Sequence, residues 1–301
     1  MSKPDQPDTV PDAREVSARP VELEDWLNAN IYHPLSYRLA QVLQHTIITP
    51  NAVSILGGLL VVIAAVVYWG MPGAFGAGIA FLLHLGWHVF DGADGDLARM
   101  TNRTSALGEV IDGACDYIGH IILYLFLAAV LAQEMGWTGG LLMVLAGLAR
   151  AVQTVFFETQ RRQYQFWVYG VPWLRVSAAE GTQNTTLFSA PARFYLWLSS
   201  ALAAGGHTID GLLERMTPAS KQQAQIEAKR RLQPVIERFS ILSSNYRTLV
   251  IGGAMIVGDP IIIVIFELCA LSVLLIYFWQ QAQREISALA LLINGLKSGQ
   301  N

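Results

Sequence analysis

The sequence predicts an all-α integral membrane protein with six transmembrane helices, an N-terminal interfacial amphipathic helix and a helical cytoplasmic insertion between helices 4 and 5. Of the 301 residues, 53% are hydrophobic and only 14% are charged, whereas soluble domains carry about 25% charged residues. Apolar runs of about twenty residues, the length that crosses a bilayer, recur along the chain. The net charge of −3 gives no indication of a nucleic-acid partner, and two cysteines do not suggest a disulfide framework.

The N-terminal region is predicted to lie outside the membrane-spanning part. Residues 1–20 are polar and rich in proline, which predicts a disordered tail. In residues 21–48, apolar residues recur at helical spacing with polar residues between them. This pattern predicts an amphipathic helix or helix pair, broken at Pro34, that lies in the membrane interface. A helix packed on the folded domain is the alternative.

Apolar segments follow, separated by turns that contain glycine or proline. Pro50 is well placed in a first turn to begin helix 1. The predicted membrane helices cover about 50–68, 74–97, 105–133, 140–157, 246–257 and 261–279. They form a membrane domain over 49–283, and a cytoplasmic tail follows over 284–301.

Helix 4 is predicted to continue as a polar helix into a hydrophilic insertion over about 165–244. Within the insertion, 187–204 predicts an interfacial or short re-entrant helix, and 220–238 predicts a charged helix that is kinked or split at Pro234. The turns after helices 1, 3 and 5 contain no lysine or arginine. By the positive-inside bias, both termini and the link between helices 2 and 3 therefore face the cytoplasm.

Acidic residues interrupt the apolar sequence where helix 2 ends and helix 3 begins. Asp91 and Asp94 are three residues apart, and Asp112 and Asp116 are four apart. On helices, each pair projects from one face. Two facing helices would bring four carboxylates together, in an oxygen cage that suits Mg²⁺ or Mn²⁺. Two such cations about 4 Å apart would clamp a diphosphate.

Small residues accompany these acids. Gly95 and Ala98 on helix 2, and Gly108 on helix 3, leave room for a bulky flat ligand close to the backbone. Arg99, one turn beyond Gly95, could bind a phosphate oxygen. One carboxylate could serve as general base for an alcohol nucleophile.

This pattern resembles the signature of the CDP-alcohol phosphotransferase family at all eight fixed positions. The resemblance implies a transfer that depends on magnesium or manganese, in which a substituted phosphate leaves CDP, an alcohol receives it and CMP is released. It also implies two metals per active site and a homodimer. Carried over by position, it implies metal binding by the four aspartates, proton abstraction by the last of them, space for the nucleotide at the small residues and a phosphate contact at the arginine. The matching residues are Asp91, Asp94, Gly95, Ala98, Arg99, Gly108, Asp112 and Asp116.

Residues outside the signature suggest an acceptor site. Arg150 lies about ten residues into helix 4, where an unpaired arginine costs about 2.5–3.5 kcal/mol on insertion scales. It should therefore pair with a signature acid or bind an anionic acceptor. Arg161 and Arg162 either bind the acceptor or contact lipid phosphates. His120, one turn deeper than Asp116, is a candidate acceptor contact.

Asn51 is a further nucleotide-site candidate. It begins helix 1 on the side where helices 2 and 3 meet, so it either touches the nucleotide or forms a hydrogen bond at the helix start.

The sequence therefore predicts an enzyme that transfers a phosphatidyl group from CDP-diacylglycerol to a polar alcohol, with phosphorylated alcohols among the candidates, at the cytoplasmic face of a bacterial inner membrane. The alternative is transfer of a head-group phosphate from a CDP-linked polar alcohol to diacylglycerol or a ceramide-like lipid. A divalent-cation transporter would explain the acids but not Gly95, Ala98, Arg99 and Gly108 at their positions.

Overall fold

The structure is a computed structural model that describes residues 20–171, 197–214 and 216–298. Every regular element in these ranges is helical, so the predicted all-α class is confirmed. The predicted disordered tail lies outside the described residues, as does the helix predicted over 187–204 except for its end.

Helical backbone continues through Pro34 rather than breaking there. A π-helical turn, Asn28–Tyr32, leads directly into α1, His33–Leu43. Pro34 has no N–H to bond the carbonyl of Asn30, but Asn30 is exposed and water can satisfy that carbonyl, so the helix continues and the predicted break is wrong. On the inner face of α1, the Ser36 hydroxyl donates to the Val89 carbonyl at 2.9 Å.

Two antiparallel helices follow, α2 (Pro50–Gly70) and α3 (Ala74–Met100). The Thr49 hydroxyl accepts from the Ala52 amide at 3.3 Å and thereby caps α2. The close turn between the helices brings the start of α2 beside the end of α3.

A single glycine, Gly136, reverses the chain direction within the helical stretch that follows α3. The helical stretch Ala106–Tyr169 is interrupted at Gly136, where φ is +66° and ψ is −158°, a backbone conformation that glycine adopts readily. It divides α4 (106–135) from α5 (137–169). A Cβ at Gly147 would lie 3.0 Å from the Tyr124 ring, and one at Gly139 would lie 2.6 Å from the Leu131 carbonyl. The two helices are therefore an antiparallel hairpin.

The last helices are α8 (Ser244–Val257) and a continuous helical segment that runs from α9 (Ile261–Val264) through a π-helical turn (Ile265–Ala270) into α10 (Leu271–Ser298). The last predicted membrane helix therefore extends well into the predicted tail.

Four helices in the described part of the chain are long and apolar enough to cross a membrane. One of them contains the α4–α5 hairpin, and α8, with 14 residues, is not among the four. They are Pro50–Gly70, Ala74–Met100, Leu107–Tyr169 and Ile261–Gly295.

The chain divides into two compact units. One comprises Asp25–Ala151 and Ser243–Ser272; the other comprises Met1–Glu24, Val152–Leu242 and Val273–Asn301. The first unit has an apolar core formed by side chains of α2, α3, α4, α5, α8 and α9. The second contains α6 (His207–Leu213) and α7 (Pro218–Phe239).

Helix α7 runs without interruption through Pro234, so the predicted split is wrong. Proline removes the hydrogen bond to the carbonyl four residues earlier. Here both Pro234 and Arg230 are exposed, so water can satisfy that carbonyl.

An N-terminal carboxylate is clamped within the second unit. Glu22 accepts hydrogen bonds from the hydroxyls of Tyr164, at 3.1 Å, and Tyr169. The Lys229 ammonium lies 3.4 Å from the same carboxylate. Burial alone would raise the pKa of the Glu22 carboxyl, but the bond from Tyr169 and the charge of Lys229 hold it below its usual value of 4.5.

Candidate active site

The structure brings the four signature aspartates together where α3 ends and α4 begins. Carboxylate oxygens of Asp91, Asp112 and Asp116 lie within 4.8 Å of one another. The Asp94 carboxyl is within hydrogen-bonding reach of Asp112, and Asp91 is within reach of Asp116. Carboxylates this close repel unless a proton or a cation lies between them. The all-oxygen donor set fits Mg²⁺ or Mn²⁺.

Neutral donors orient two of these acids. The Ser54 hydroxyl of α2 donates to Asp94 Oδ2 at 2.5 Å, and Trp87 Nε1 donates to Asp116 Oδ1 at 2.7 Å. Neither donor was predicted from the sequence. Trp87 precedes Asp91 by one helical turn, so helical spacing could have indicated that it shares a face with the acids of α3, but not that it bonds to Asp116 on α4. Nothing in the local sequence indicates Ser54, because its partner lies on another helix.

The predicted nucleotide residues lie on both sides of the acids. On α3, the Arg99 guanidinium forms an ion pair with Asp96 and folds over Gly95, where a Cβ would lie 3.4 Å from Nη1. On α4, a Cβ at Gly108 would lie 3.4 Å from Asn51 Oδ1. Asn51 is thus adjacent to Gly108, so α2 contributes a polar side chain here.

Ala98 is half-buried on the same helix as Arg99.

Three buried histidines lie farther toward the Gly136 reversal. His88 Nε2 is 2.8 Å from the Thr248 hydroxyl, which lies 3.4 Å from His84 Nε2. His120 Nδ1 is 2.8 Å from the backbone carbonyl of Asp116. A carbonyl can only accept, so His120 Nδ1 carries the proton, and in the neutral ring Nε2 is left as an acceptor.

Arg150 lies beside these histidines. It is 9% exposed, and its guanidinium carbon is 5.7 Å from the centroid of the Tyr124 ring. Its Nε is buried without a hydrogen-bond partner, and among the described residues Arg150 forms no ion pair. It therefore does not pair with a signature acid, which was one of its two predicted roles.

Arg161 and Arg162 belong to the second compact unit, and both have a partner. Their guanidinium groups donate to Glu158, with nitrogen–oxygen distances of 3.0 and 2.6 Å. Glu158 lies three and four residues before them, so helical spacing could have indicated this pairing.

A buried ion pair was also missed by sequence analysis. Arg247 of α8 donates to Glu267 in the π-helical turn, and Glu267 accepts a further hydrogen bond of 2.9 Å from the Tyr124 hydroxyl. The feature of the sequence that could have indicated this pair is the presence of opposite charges within two apolar helices.

A comparison with protein families bears on this site. The family model described as CDP-alcohol phosphatidyltransferase matches residues 47–207, more than half of the chain and a range that includes all four aspartates. The chain belongs to the CDP-alcohol phosphatidyltransferase family. The resemblance inferred from eight signature positions is thereby confirmed. No curated protein matches the chain.

Family membership has direct consequences for the function. CDP-alcohol phosphatidyltransferases are membrane transferases that take a phosphate-containing group from a CDP-alcohol and use divalent metals. The aspartate cluster is the place in the described structure where a metal could bind.

Proposed function

We propose that the protein transfers a phosphatidyl group from CDP-diacylglycerol to a polar alcohol and releases CMP, using two divalent metals. The observation that carries this proposal is the meeting of four carboxylates at the junction of α3 and α4 in a chain of this family. The metals would neutralise the diphosphate and stabilise charge on the leaving CMP oxygen. Asp91, Asp94, Asp112 and Asp116 would hold them.

Asp116 is proposed to accept the proton of the acceptor hydroxyl. The hydroxyl oxygen forms a bond to the phosphorus that carries the lipid, and the bond from that phosphorus to the CMP oxygen breaks. Because Trp87 occupies Asp116 Oδ1, the other carboxylate oxygen is the one proposed to take the proton. Trp87 thus fixes the orientation of the base.

The nucleotide is proposed to lie against Gly95, Ala98 and Gly108, with Arg99 and Asn51 as its polar contacts. Gly108 and Asn51 adjoin each other, and the nearest side-chain atoms to a Cβ at Gly95 belong to the Arg99 guanidinium. The ion pair between Arg99 and Asp96 is partly exposed, and such pairs contribute about 0–1 kcal/mol to stability. Arg99 can therefore release Asp96 and bind a diphosphate oxygen instead.

The acceptor is proposed to lie against His120 and Arg150. Arg161 and Arg162 are also proposed as acceptor contacts. They receive the smaller role because Glu158 already balances part of their charge.

We also propose six membrane crossings, with α8 as the fifth. Its 14 residues rise about 21 Å, less than the hydrocarbon core of about 30 Å, so residues flanking α8 would have to complete the crossing. In this arrangement both termini and the aspartates face the cytoplasm of a bacterial inner membrane, and the enzyme is a homodimer.

CMP release by the purified protein tests the activity. With Mg²⁺ or Mn²⁺, CDP-diacylglycerol and a panel of polar alcohols should yield CMP. Preference for a CDP-linked polar alcohol with diacylglycerol or a ceramide-like acceptor would establish the reverse assignment of donor and acceptor. If no pair of substrates releases CMP, the proposal is wrong.

A variant pair tests the base. Asp116→Asn should abolish turnover while CDP-diacylglycerol still binds. Glu134→Gln, which changes an exposed acid at the far end of the same helix, should leave turnover unchanged. Retained turnover in Asp116→Asn would contradict the assignment of Asp116 as the base.

A further inference from the structure

The four aspartates are not held in the same way. Among the described residues, oxygens of Asp91, Asp112 and Asp116 form a group within 4.8 Å of one another, and Asp94 is outside this group. Asp94 Oδ2 accepts from the Ser54 hydroxyl of α2 at 2.5 Å, while the Asp94 carboxyl stays within hydrogen-bonding reach of Asp112. The cluster therefore consists of three acids that lie together and one that is bonded to another helix.

The Ser54 hydroxyl has two acceptors within reach and one proton to donate. The Pro50 carbonyl, one helical turn earlier, is 3.3 Å away and is the type of acceptor that a serine within a helix ordinarily uses. The Asp94 oxygen is closer, and a hydrogen bond to a charged acceptor is roughly twice as strong as one between neutral groups. Ser54 and Asp94 are both buried, with 7% and 6% of their surfaces exposed, so water does not compete for this bond. Ser54 therefore fixes the orientation of the Asp94 carboxylate.

Two glycines place the Ser54 hydroxyl within reach of this carboxylate. Gly57 and Gly58 follow Ser54 by three and four residues, so they lie on the same face of α2. A Cβ at Gly57 would lie 3.2 Å from Phe90 Cβ of α3, and one at Gly58 would lie 3.2 Å from Cys115 Cβ of α4. Helix α2 thus packs closely against both helices that carry the aspartates.

The bond from Ser54 affects how two cations share the cluster. Two divalent cations about 4 Å apart repel each other, so the second ion binds less tightly than the first. Asp91, Asp112 and Asp116 offer three carboxylates to one ion, and the other ion depends on Asp94. A hydrogen-bonding partner orients a carboxylate ligand, and loss of such a partner costs about 10–100-fold in metal affinity.

We infer that Ser54 is a positioning residue that makes the two metal sites unequal: it holds Asp94 through Oδ2, leaves Oδ1 as the ligand atom, and thereby sets the affinity of the weaker metal. The inference rests on the proposed function, because it divides the two metals proposed there among the four aspartates. The metal requirement of the enzyme then depends on a neutral side chain of α2, a helix to which no metal ligand is assigned.

Titration with Mn²⁺ alone tests this inequality. The full-length protein in detergent is titrated without substrates, and free Mn²⁺ is measured by electron paramagnetic resonance. Wild type should bind two ions of different affinity. Ser54→Ala should lower the affinity of the weaker ion by about tenfold and that of the tighter ion by less than about twofold, whereas Ser54→Thr, which keeps the hydroxyl, should stay within about threefold of wild type. A single class of sites in wild type, no loss in Ser54→Ala, or equal losses at both ions would overturn the inference.

A matched serine separates positioning from packing. Ser36 of α1 is also buried, and its hydroxyl donates to α3 at the Val89 carbonyl, 2.9 Å away. Ser36→Ala therefore removes a buried hydrogen bond to the same helix without touching a carboxylate. It should leave both Mn²⁺ affinities unchanged. If Ser36→Ala weakens Mn²⁺ binding as much as Ser54→Ala does, the packing of α3 explains the effect and the inference is overturned.

A double variant tests whether Ser54 acts through Asp94. Asp94→Asn should abolish binding of the weaker ion and leave the tighter ion bound. Adding Ser54→Ala to Asp94→Asn should then change Mn²⁺ binding no further, because the two residues form one unit. A further loss of Mn²⁺ binding in the double variant would show that Ser54 acts by another route and would overturn the inference.

CMP release distinguishes a failure of this inference from a failure of the proposed function. Ser54→Ala should need about tenfold more Mn²⁺ for half-maximal release, with kcat at saturating Mn²⁺ within about twofold of wild type. CMP release with an unchanged Mn²⁺ requirement would overturn the inference and leave the proposed function intact. Mn²⁺ binding that depends on Ser54 in a protein that releases no CMP would uphold the positioning role and refute the proposed function.

Discussion

Two buried arginines of the same compact unit differ in their partners. Arg247, 1% exposed, donates to Glu267, which is fully buried. Arg150, 9% exposed, lies over the ring of Tyr124, the tyrosine whose hydroxyl bonds to Glu267. Glu267 balances the charge of Arg247, whereas no carboxylate pairs with Arg150 among the described residues. The difference predicts that removing the partner of Arg247 destabilises the fold, whereas Arg150 is a proposed ligand contact.

The largest effect should follow from breaking the balanced pair. Glu267→Gln leaves Arg247 buried without its carboxylate and close to a second arginine, so the free energy of unfolding should fall by about 3–5 kcal/mol. Chemical unfolding in detergent measures this. The matched control is the double variant Arg247→Met with Glu267→Leu, which removes both charges and should recover most of the loss. A drop of under about 1 kcal/mol in Glu267→Gln would contradict the structural role of the pair.

A neutral donor to a carboxylate should have an intermediate effect. Trp87→Phe removes the hydrogen bond to Asp116 Oδ1 while keeping an aromatic ring beside His120. Because the base loses its fixed orientation, kcat should fall by about tenfold with KM unchanged. Steady-state CMP release measures both constants, and Trp69→Phe, on an exposed position of α2, is the control. An increase in KM without a change in kcat would show that Trp87 contributes to binding instead.

A smaller effect is expected at the clamp around Glu22, whose ion-pair partner Lys229 is partly exposed. Its folded-state pKa lies below the usual 4.5, so folding favours the carboxylate. The contribution is present above pH 4.5 and is lost as the pH falls through the folded-state pKa. It should amount to at most about 1 kcal/mol. Unfolding from pH 7 to pH 3 should show a smaller loss of stability in Glu22→Gln than in wild type; identical pH profiles would contradict the clamp.

The smallest change in stability is expected on replacing Arg150. Arg150→Gln removes a buried charge that has no partner among the described residues, so the free energy of unfolding should change by less than about 0.5 kcal/mol or rise. The same unfolding assay measures it beside Glu267→Gln. A loss as large as that of Glu267→Gln would show that Arg150, too, stabilises the fold.

The spacing of residues along the sequence predicted the features that depend on a single helix. The spacing of Asp91 with Asp94, and of Asp112 with Asp116, predicted which faces carry acids, and glycine and proline indicated most of the turns. The same reasoning wrongly predicted interruptions of helices at two prolines. Helices continue through Pro34 and Pro234, because the residue four positions earlier is exposed in each case and water can satisfy its carbonyl.

Contacts between helices lay beyond this reasoning. Ser54 and Asp94 meet across α2 and α3, and Arg247 and Glu267 meet across α8 and the π-helical turn. Such pairs depend on packing angle and on the phase of each helix. The π turn at Ile265–Ala270 alters that phase because it is wider than an α-helical turn. No residue type within this turn indicates the change.

The Gly136 reversal has a consequence for how acceptor preference can change during evolution. Asp116 and Arg150 lie on the two arms of one hairpin, so the number of residues between each of them and Gly136 sets their separation. Adding one residue to an arm shifts one side chain by about 1.5 Å and rotates it by about 100°, out of the site. Only a whole turn, about 5.4 Å, restores its direction. If Asp116 and Arg150 contact the acceptor as proposed, their separation can change only by whole helical turns, and acceptors of intermediate length would have to be accommodated by substitution of side chains.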